Sequence, residues 1–184
     1  QAFFFSEKLE NISIPDDCRS IGWESFSACG LISVNIPRNV SFIDKLAFNR
    51  CYKLVSINVD SENRWYASID GMLCDKKQET LIYYPAAGKK IINIPNTVKE
   101  INEYAFSHCI YQEKLNIPSE TVTIPYGIFK FLSGLSFIDV DVNSACFTSI
   151  DGVLYDKSVS ELIACPRLKD EITIPDGIQT ISPF

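Results

Sequence analysis

Seven cysteines, one histidine and two Asp-Gly dipeptides are the residues of this 184-residue chain that could support catalysis or metal binding. Thiolates and imidazoles are the common ligands of zinc, and a Cys–His pair can act as nucleophile and base. The chain contains no C-x-x-C pair, and its single histidine, His108, has no cluster of further ligands around it in the sequence. Cys109 follows His108 directly, but adjacent residues of a short repeat point in different directions. We therefore expect no metal, no cofactor and no catalytic residues.

The positions of the cysteines indicate packing rather than reactivity. Cys29, Cys51 and Cys109 each occupy the third position after a phenylalanine, and the other cysteines take places that hold apolar or aromatic residues elsewhere in the chain. A free cysteine behaves as a small buried hydrophobe. We expect packed thiols at these positions, and the odd number of cysteines disfavours complete disulfide pairing.

The two Asp-Gly dipeptides, Asp70-Gly71 and Asp151-Gly152, lie far apart in the chain. Two carboxylates can share acid–base chemistry at a glycosidic bond only when they are within about 10 Å of each other. Each dipeptide instead belongs to its own copy of a longer segment, and Asp-Gly between apolar runs is a strong hairpin signal. We expect a tight turn at each dipeptide and predict that the chain is not an enzyme.

A pattern of one polar residue between two apolar residues, here termed a rung, recurs along the whole chain. The rungs are Ile12-Ser13-Ile14, Val34-Asn35-Ile36, Ile57-Asn58-Val59, Ile92-Asn93-Ile94, Leu115-Asn116-Ile117, Ile138-Asp139-Val140 and Ile172-Thr173-Ile174. They are evenly spaced except for two longer steps, which end at Ile94 and at Ile174. Such a period predicts stacked coils that share one core. The alternation and β-branched residues predict short parallel strands about 4.8 Å apart.

The residues between the rungs predict the rest of each coil. Proline directly after a rung ends the strand, because it lacks an N–H and fixes φ. Ala47-Phe48 predicts one helical or 3-10 turn that places the phenylalanine in the core, and the stretch from Val40 to Ile43 predicts a second short strand. The two longer steps predict β-hairpin insertions at about 64–88 and 145–169.

Composition limits the possible partners. The net charge of −6 and the pI near 4.8 disfavour nucleic acid, whose phosphates require a basic surface. No apolar run is long enough to span a bilayer. We expect residues 1–184 to form a single monomeric solenoid, truncated within a repeat at both ends and belonging to a longer protein.

The motif Ile-Pro-x-x-Val-x-x-Ile-x-x-x-Ala-Phe-x-x-Cys-x-x-Leu-x-x-Ile-x-Val, which runs from Ile36 to Val59, resembles the BspA-type leucine-rich repeat. The segment from Ser149 to Lys157 resembles an insertion that these proteins often carry. The resemblance implies a β-rich, right-handed leucine-rich-repeat superhelix with short parallel strands, brief turns and two hairpins. It also implies a bacterial or protist surface or secreted protein that adheres to protein ligands on another cell or on a matrix.

The rung centres predict an exposed polar stripe along the sheet. Its amides could simply hydrogen-bond along the ladder in a solvated face, or the stripe could bind a partner. Phe137 and Ile91 are outward apolar residues next to the stripe and are possible anchors. Trp65 and Tyr66 either cover the base of the first hairpin or form an exposed patch. The candidate partner-binding residues are Asn35, Ser56, Asn58, Asn93, Lys114, Asn116, Phe137, Asp139, Trp65 and Tyr66.

These observations predict a non-catalytic binding module that acts through protein–protein contact on the solenoid face. The alternative is a carbohydrate-binding or structural spacer array, in which the repeats carry a distal domain outward. The ligand itself cannot be read from the sequence.

Overall fold

A computed structural model describes residues 1–183, which form two compact units. The first unit comprises Gln1–Gly88 with Tyr104–Cys109, and the second comprises Lys89–Glu103 with the chain from Ile110 onward. The strands of the first unit are β1 (Ser20–Ile21), β2 (Ser33–Ile36), β3 (Phe42–Ile43), β4 (Ser56–Val59), β5 (Tyr66–Ile69), β6 (Met72–Asp75) and β7 (Thr80–Tyr83). The elements of the second are β8 (Ile91–Asn93), β9 (Glu100–Ile101), β10 (Lys114–Ile117), the 3-10 helix η1 (Tyr126–Phe131), β11 (Phe137–Val140), β12 (Phe147–Ile150), β13 (Val153–Asp156), β14 (Glu161–Ala164) and β15 (Thr180–Ile181).

The rungs pair in register, as the period predicts. In the first unit β2 and β4 are parallel, with Val34 opposite Ile57. In the second unit β10 lies between β8 and β11, and Leu115 is opposite Ile138 on one side. In these paired rungs the apolar residues point towards the core and the centre points outward, because successive side chains of a strand alternate between its faces. The predicted stacking of equivalent coils is confirmed within each unit.

A second short strand follows the rung in several coils. In the first unit β1 pairs with β3 in parallel, with Ile21 opposite Ile43. In the second unit a bridge joins Glu100 of β9 to Thr123. The prediction of a strand between Val40 and Ile43 is therefore confirmed.

The rungs at 12–14 and 172–174 are not strands, so the prediction was wrong for these two segments. The first is the earliest rung of its unit and the second is the last rung of the other. Ile12 and Ile172 are half-buried, whereas Val34 and Ile57 are almost fully buried. These two segments bury less apolar surface than the paired rungs, so their strand geometry is less strongly enforced.

A column of phenylalanines fills the core of the first unit. The Phe26 ring stacks on Phe3 and Phe48 at centroid distances of 5.3 and 5.7 Å, with the planes within 5° in both pairs. Tyr83 continues the column at 6.0 Å from Phe48. The three phenylalanines lie in turns of their coils, whereas Tyr83 is the last residue of β7. In η1 of the second unit, Phe129 is at the corresponding offset but is only half-buried, whereas Ile128, at the offset of the repeat alanine, is fully buried.

Each insertion is a three-stranded antiparallel meander, one strand more than the hairpin that the sequence predicts. β5, β6 and β7 form the first copy, and β12, β13 and β14 form the second. The Asp-Gly dipeptide joins the first two strands of each copy. Asp70 and Gly71 have φ of 50° and 80°, and Asp151 and Gly152 have φ of 52° and 78°. Two successive positive φ values are those of the two-residue type I′ turn, which matches the twist of paired strands.

The Asp-Gly turns cover an edge of the rung sheets. The Gly71 carbonyl accepts a hydrogen bond from Ile57 N at 2.8 Å, and the Gly152 carbonyl accepts one from Ile138 N at 3.0 Å. The hydroxyl oxygen of Ser68 likewise accepts from Val59 N at 3.1 Å. The backbone groups of an edge strand would otherwise be free to pair with another chain. Each insertion therefore closes the sheet on which it packs.

Candidate functional site: a polar strand face in each unit

The rung centres of the first unit form an amide ladder. Asn58 Nδ2 donates to Asn35 Oδ1 at 3.1 Å, and both side chains are exposed. A groove runs over this face, and Ser13, Asp16 and Asp60 are among its lining residues. The face thus offers amide donors and acceptors next to negative charge.

The second unit repeats this arrangement. Asn116 Nδ2 donates to Asn93 Oδ1 at 2.6 Å. The next rung centre is Asp139, which cannot donate when it is ionised, and Lys114 Nζ donates to its Oδ2 at 2.8 Å instead. A groove again follows the rung centres, and Asp139 and Asp141 lie along it. The amide ladder that the sequence suggested is therefore present in both units.

Phe137 is only partly exposed, because the second insertion covers it. A Cβ on Gly152 would lie 2.6 Å from the Phe137 ring, so the glycine backbone packs directly against the aromatic side chain. Lys114 Nζ and Lys169 Nζ lie 5.3 and 6.0 Å from the ring centroid. Ammonium groups at these distances are attracted to the face of an aromatic ring. Phe137 therefore anchors the Asp-Gly turn, and 37% of its surface remains available to a partner.

Ser56 occupies the matching position under the first insertion. Ser56 is half-buried, and a Cβ added to Gly71 would lie 2.9 Å from the Cβ of Ser56. Ser56 therefore lies at the junction between rung and insertion and is less accessible than Asn35 and Asn58.

Trp65 and Tyr66 are adjacent in sequence but have different environments. The Tyr66 hydroxyl accepts a hydrogen bond from Ile43 N at 3.0 Å, and its ring packs against the core of the first unit. Burial raises the pKa of Tyr66. Trp65 is 45% exposed. Of this pair, Trp65 alone presents its side chain to solvent, and Tyr66 covers the base of the insertion.

Beside Trp65 lies an ion-pair ladder that was not predicted from the sequence. Arg38 donates to Asp16 Oδ2 at 3.2 Å and to Glu62 Oε2 at 2.8 Å. The pKa of Arg38 is raised, mainly by its hydrogen bond to Asp16. These residues lie in three successive coils, and their near-periodic offsets along the chain were the only sequence signal that could have revealed the ladder.

The repeat cysteines bond to the backbone of the preceding coil. Cys29 Sγ donates to the Phe3 carbonyl at 2.9 Å, and Cys51 Sγ donates to the Phe26 carbonyl at 3.0 Å. Burial raises the pKa of Cys51 to about 12. A thiol with such a pKa carries almost no thiolate at neutral pH and is a poor nucleophile.

Cys165 departs from the prediction, because its side chain is exposed. Its counterpart in the first insertion, Tyr84, is buried and reaches the ring of Phe106 at 6.0 Å. The shorter thiol of Cys165 ends near the carbonyl of Pro166, at 3.6 Å. The two copies thus share a backbone position without sharing its burial.

His108 packs against an aromatic side chain and not against a nucleophile. Its ring meets Tyr52 edge-on at 5.4 Å, and the Tyr52 hydroxyl lies 3.4 Å from His108 Nδ1. Burial, and to a lesser extent the charge of Arg50, lowers the pKa of His108. Cys109 Sγ is directed to the Tyr84 carbonyl at 3.6 Å. The two neighbouring residues therefore do not form a pair.

Within residues 1–183, no group of three or more His, Cys, Asp or Glu side chains is arranged to hold a metal ion. In the same range of residues, no helix is both long enough and apolar enough to cross a bilayer.

Comparison with known families identifies the repeat. The sequence profile of the BspA type leucine-rich repeat region matches residues 1–69 and 83–184 in six copies. The chain belongs to the BspA-type leucine-rich repeat family. The resemblance noted in the sequence and the predicted β-rich repeat solenoid are both confirmed. No curated protein sequence matches the chain significantly.

Solved structures of leucine-rich repeat proteins share this fold. A leucine-rich cell surface protein from Faecalibacterium prausnitzii A2-165 is 26% identical, with a TM-score of 0.62 over 91% of this chain. A leucine-rich repeat protein from Eubacterium ventriosum is 18% identical, with a TM-score of 0.59 over 92%. The pneumococcal vaccine antigen PcpA is 17% identical, with a TM-score of 0.52 over 90%. This chain spans 42%, 53% and 54% of those three proteins.

Proposed function

We propose that this chain is a non-catalytic binding module of a cell-surface or secreted protein and that it holds a protein partner on its polar strand faces. The observation that carries the proposal is that the same groove occurs in both units, over Asn35 and Asn58 in the first and over Asn93 and Asn116 in the second. Repeat arrays commonly present a ligand surface in this way, with one coil supplying one row of contacts.

The similar structures agree with a surface location, since one is described as a cell surface protein and another as a vaccine antigen. Adhesion is the role we favour. The polarity of the faces suits a partner that supplies hydrogen-bond donors, because the half-buried Asp60 and the exposed Asp141 place carboxylates beside the amides.

Blocking one face with bulky charged side chains tests the proposal. We expect the double variant Asn35→Arg and Asn58→Arg to abolish binding of the chain to an immobilised panel of extracellular matrix and cell-surface proteins. Ser41→Arg is the matched control, because Ser41 is also exposed in the first unit but lies next to the other strand pair, β1–β3. Equal binding by both variants and the parent would refute the role of this face.

A spacer is the second candidate, and the ladders themselves favour it. Asn58 donates to Asn35, and Asn116 donates to Asn93, so the amides partly satisfy one another without a ligand. A spacer would tolerate the double arginine variant with no loss of cell attachment by the protein that carries it. Attachment measured with the parent and the double variant therefore distinguishes the two roles.

A further inference from the structure

The first insertion carries exposed side chains that its second copy lacks. Glu62, Arg64 and Trp65 correspond in the second copy to Asn143, Ala145 and Cys146. The backbone is nevertheless held in the same way, since the Trp65 carbonyl accepts from Lys76 N at 2.9 Å and the Cys146 carbonyl accepts from Lys157 N at 2.8 Å. The second copy thus shows that this fold does not require Glu62, Arg64 or Trp65.

These side chains line one pocket of about 580 Å³ within the first unit. It is lined by Arg38, Asn39, Glu62, Arg64 and Trp65, whose polar groups are two guanidiniums, an amide and a carboxylate. All of these groups are planar, and together they supply hydrogen-bond donors and acceptors around one aromatic ring. The lining includes no aliphatic side chain.

The pocket is held rigidly from below. Asn63 is fully buried, and its Nδ2 donates to the carbonyls of Pro37 at 2.8 Å and Val40 at 2.9 Å. Its Oδ1 accepts from Trp65 N at 2.9 Å and from Tyr66 N at 2.8 Å. These bonds fix the backbone that carries the indole, so little ordering remains to be done when a ligand binds.

The carboxylates of Asp16 and Glu62 hold the Arg38 side chain from two sides. Its matching position in the second unit is Ser119, which cannot form such a ladder. The second copy therefore lacks the arginine, the indole and the acidic partner together.

We propose that this pocket is a saccharide-binding site and that it takes a pyranose ring against the indole of Trp65. A pyranose has C–H groups on one face, which pack on an aromatic ring, and hydroxyls around its rim, which both donate and accept. A guanidinium, amide or carboxylate group can hydrogen-bond to two neighbouring hydroxyls at once. This site is separate from the strand faces and stands independently of the protein-binding role proposed above.

The lining favours a saccharide over a polypeptide. Apart from arginine, charged residues are depleted at the buried centre of a protein–protein interface, which is largely apolar. Here the lining offers one indole and no aliphatic side chain, so a peptide would find one apolar contact and would have to desolvate the carboxylate of Glu62 and the amide of Asn39. A sugar replaces the water around those groups with its own hydroxyls.

The test uses the full chain and a panel of methyl glycosides of glucose, galactose, mannose and N-acetylglucosamine, together with glucuronic acid. Saturation-transfer NMR and isothermal titration calorimetry measure binding. We expect at least one probe to bind, with transfer strongest at its ring C–H protons. Trp65→Ala should weaken that binding about tenfold or more, since the stacking face is lost. Arg64→Ala copies the second insertion and should weaken it as well.

Two outcomes would overturn the proposal. These are the absence of saturation transfer to every probe and undiminished binding by Trp65→Ala. Folding is not at risk, because Cys146 and Ala145 occupy the same backbone positions in the second copy, and unchanged thermal unfolding of the variants verifies this. The double arginine variant of the strand face should bind the glycoside normally, so that failure of one site does not imply failure of the other.

Discussion

Replacing Asn63 should destabilise the first unit, and the size of the loss tests how the insertion is held. Asn63 is fully buried, and its side chain makes four hydrogen bonds, at 2.8 to 2.9 Å, to Pro37, Val40, Trp65 and Tyr66. Asn63→Ala removes all of them and leaves two carbonyls and two backbone amides without these partners. A typical net contribution is about 1 kcal/mol per bond, and a buried unsatisfied group costs more. We expect the free energy of unfolding to fall by about 3–5 kcal/mol.

Ser144 provides the matched control in the second insertion. It occupies the equivalent position and is almost as deeply buried, but its side chain accepts one backbone hydrogen bond, from Phe147 N to its Oγ at 3.2 Å. Ser144→Ala should therefore cost only about 1 kcal/mol. Asn63→Ser copies the residue of the second insertion into the first, and its loss of unfolding free energy should lie between those of Asn63→Ala and Ser144→Ala.

The chain is suited to this measurement because both of its tryptophans, Trp23 and Trp65, lie in the first unit. Urea denaturation followed by tryptophan fluorescence reports the first unit, and circular dichroism reports the whole chain. The urea midpoint measured by fluorescence should be much lower for Asn63→Ala than for the parent. A loss no greater than that of Ser144→Ala would refute the reasoning that these four bonds hold the insertion in place.

Three further predictions concern the second insertion and the thiols. Gly152→Ala should lower the free energy of unfolding by about 2–3 kcal/mol, because Gly152 has φ +78° and the new Cβ would lie 2.6 Å from the Phe137 ring. Gly177→Ala is the control: Gly177 has φ +94° but open space around it, so the change should cost only about 1 kcal/mol in the same urea titration. Burial alone would raise the pKa of Asp156, but hydrogen bonds from Ser158, Glu161 and Ser160 outweigh it and lower the pKa from 3.8 to about 2. The ionised carboxylate therefore stabilises the fold above about pH 4 and loses this effect as the pH falls towards 2, so Asp156→Asn should flatten the pH dependence of the unfolding midpoint in that window. Iodoacetamide should label Cys165 in the native protein, because its side chain is exposed, and should leave Cys109 unmodified until urea is added, because Cys109 is fully buried. Peptide mass spectrometry measures both, and early labelling of Cys109 would contradict the burial argument.

The repeat itself was predictable from the sequence because each coil must place the same side chains in a shared core. Val34 and Ile57 keep their offsets since any shift would turn them to the solvent face of the strand. The Asp-Gly turns were predictable for a similar local reason, because two successive positive φ values are costly for most residues other than glycine, asparagine and aspartate.

Features that depend on a neighbouring coil were not predictable in the same way. Phe137 was expected as an outward anchor, yet its accessibility is set by Gly152, which belongs to the insertion that follows its strand. Cys165 was expected to pack like Tyr84, but burial depends on whether a side chain is long enough to reach a neighbour. The strand at Tyr66–Ile69 was missed because its residues are half-buried throughout and show no clear alternation.

The sequence by itself determined the family, the coil period and the places of the insertions, because these follow from apolar residues and turn residues whose requirements are local and recur in phase. Only the tertiary structure decided which polar residues became functional candidates. Arg38 is 24 residues from Glu62 in the chain, and the two converge because stacking brings equivalent positions of successive coils together at a spacing of about one strand. Trp65 lies close to Glu62 in the same coil and therefore joins them. The energy of hydrogen bonds and ion pairs depends on that distance, which the order of residues alone does not specify.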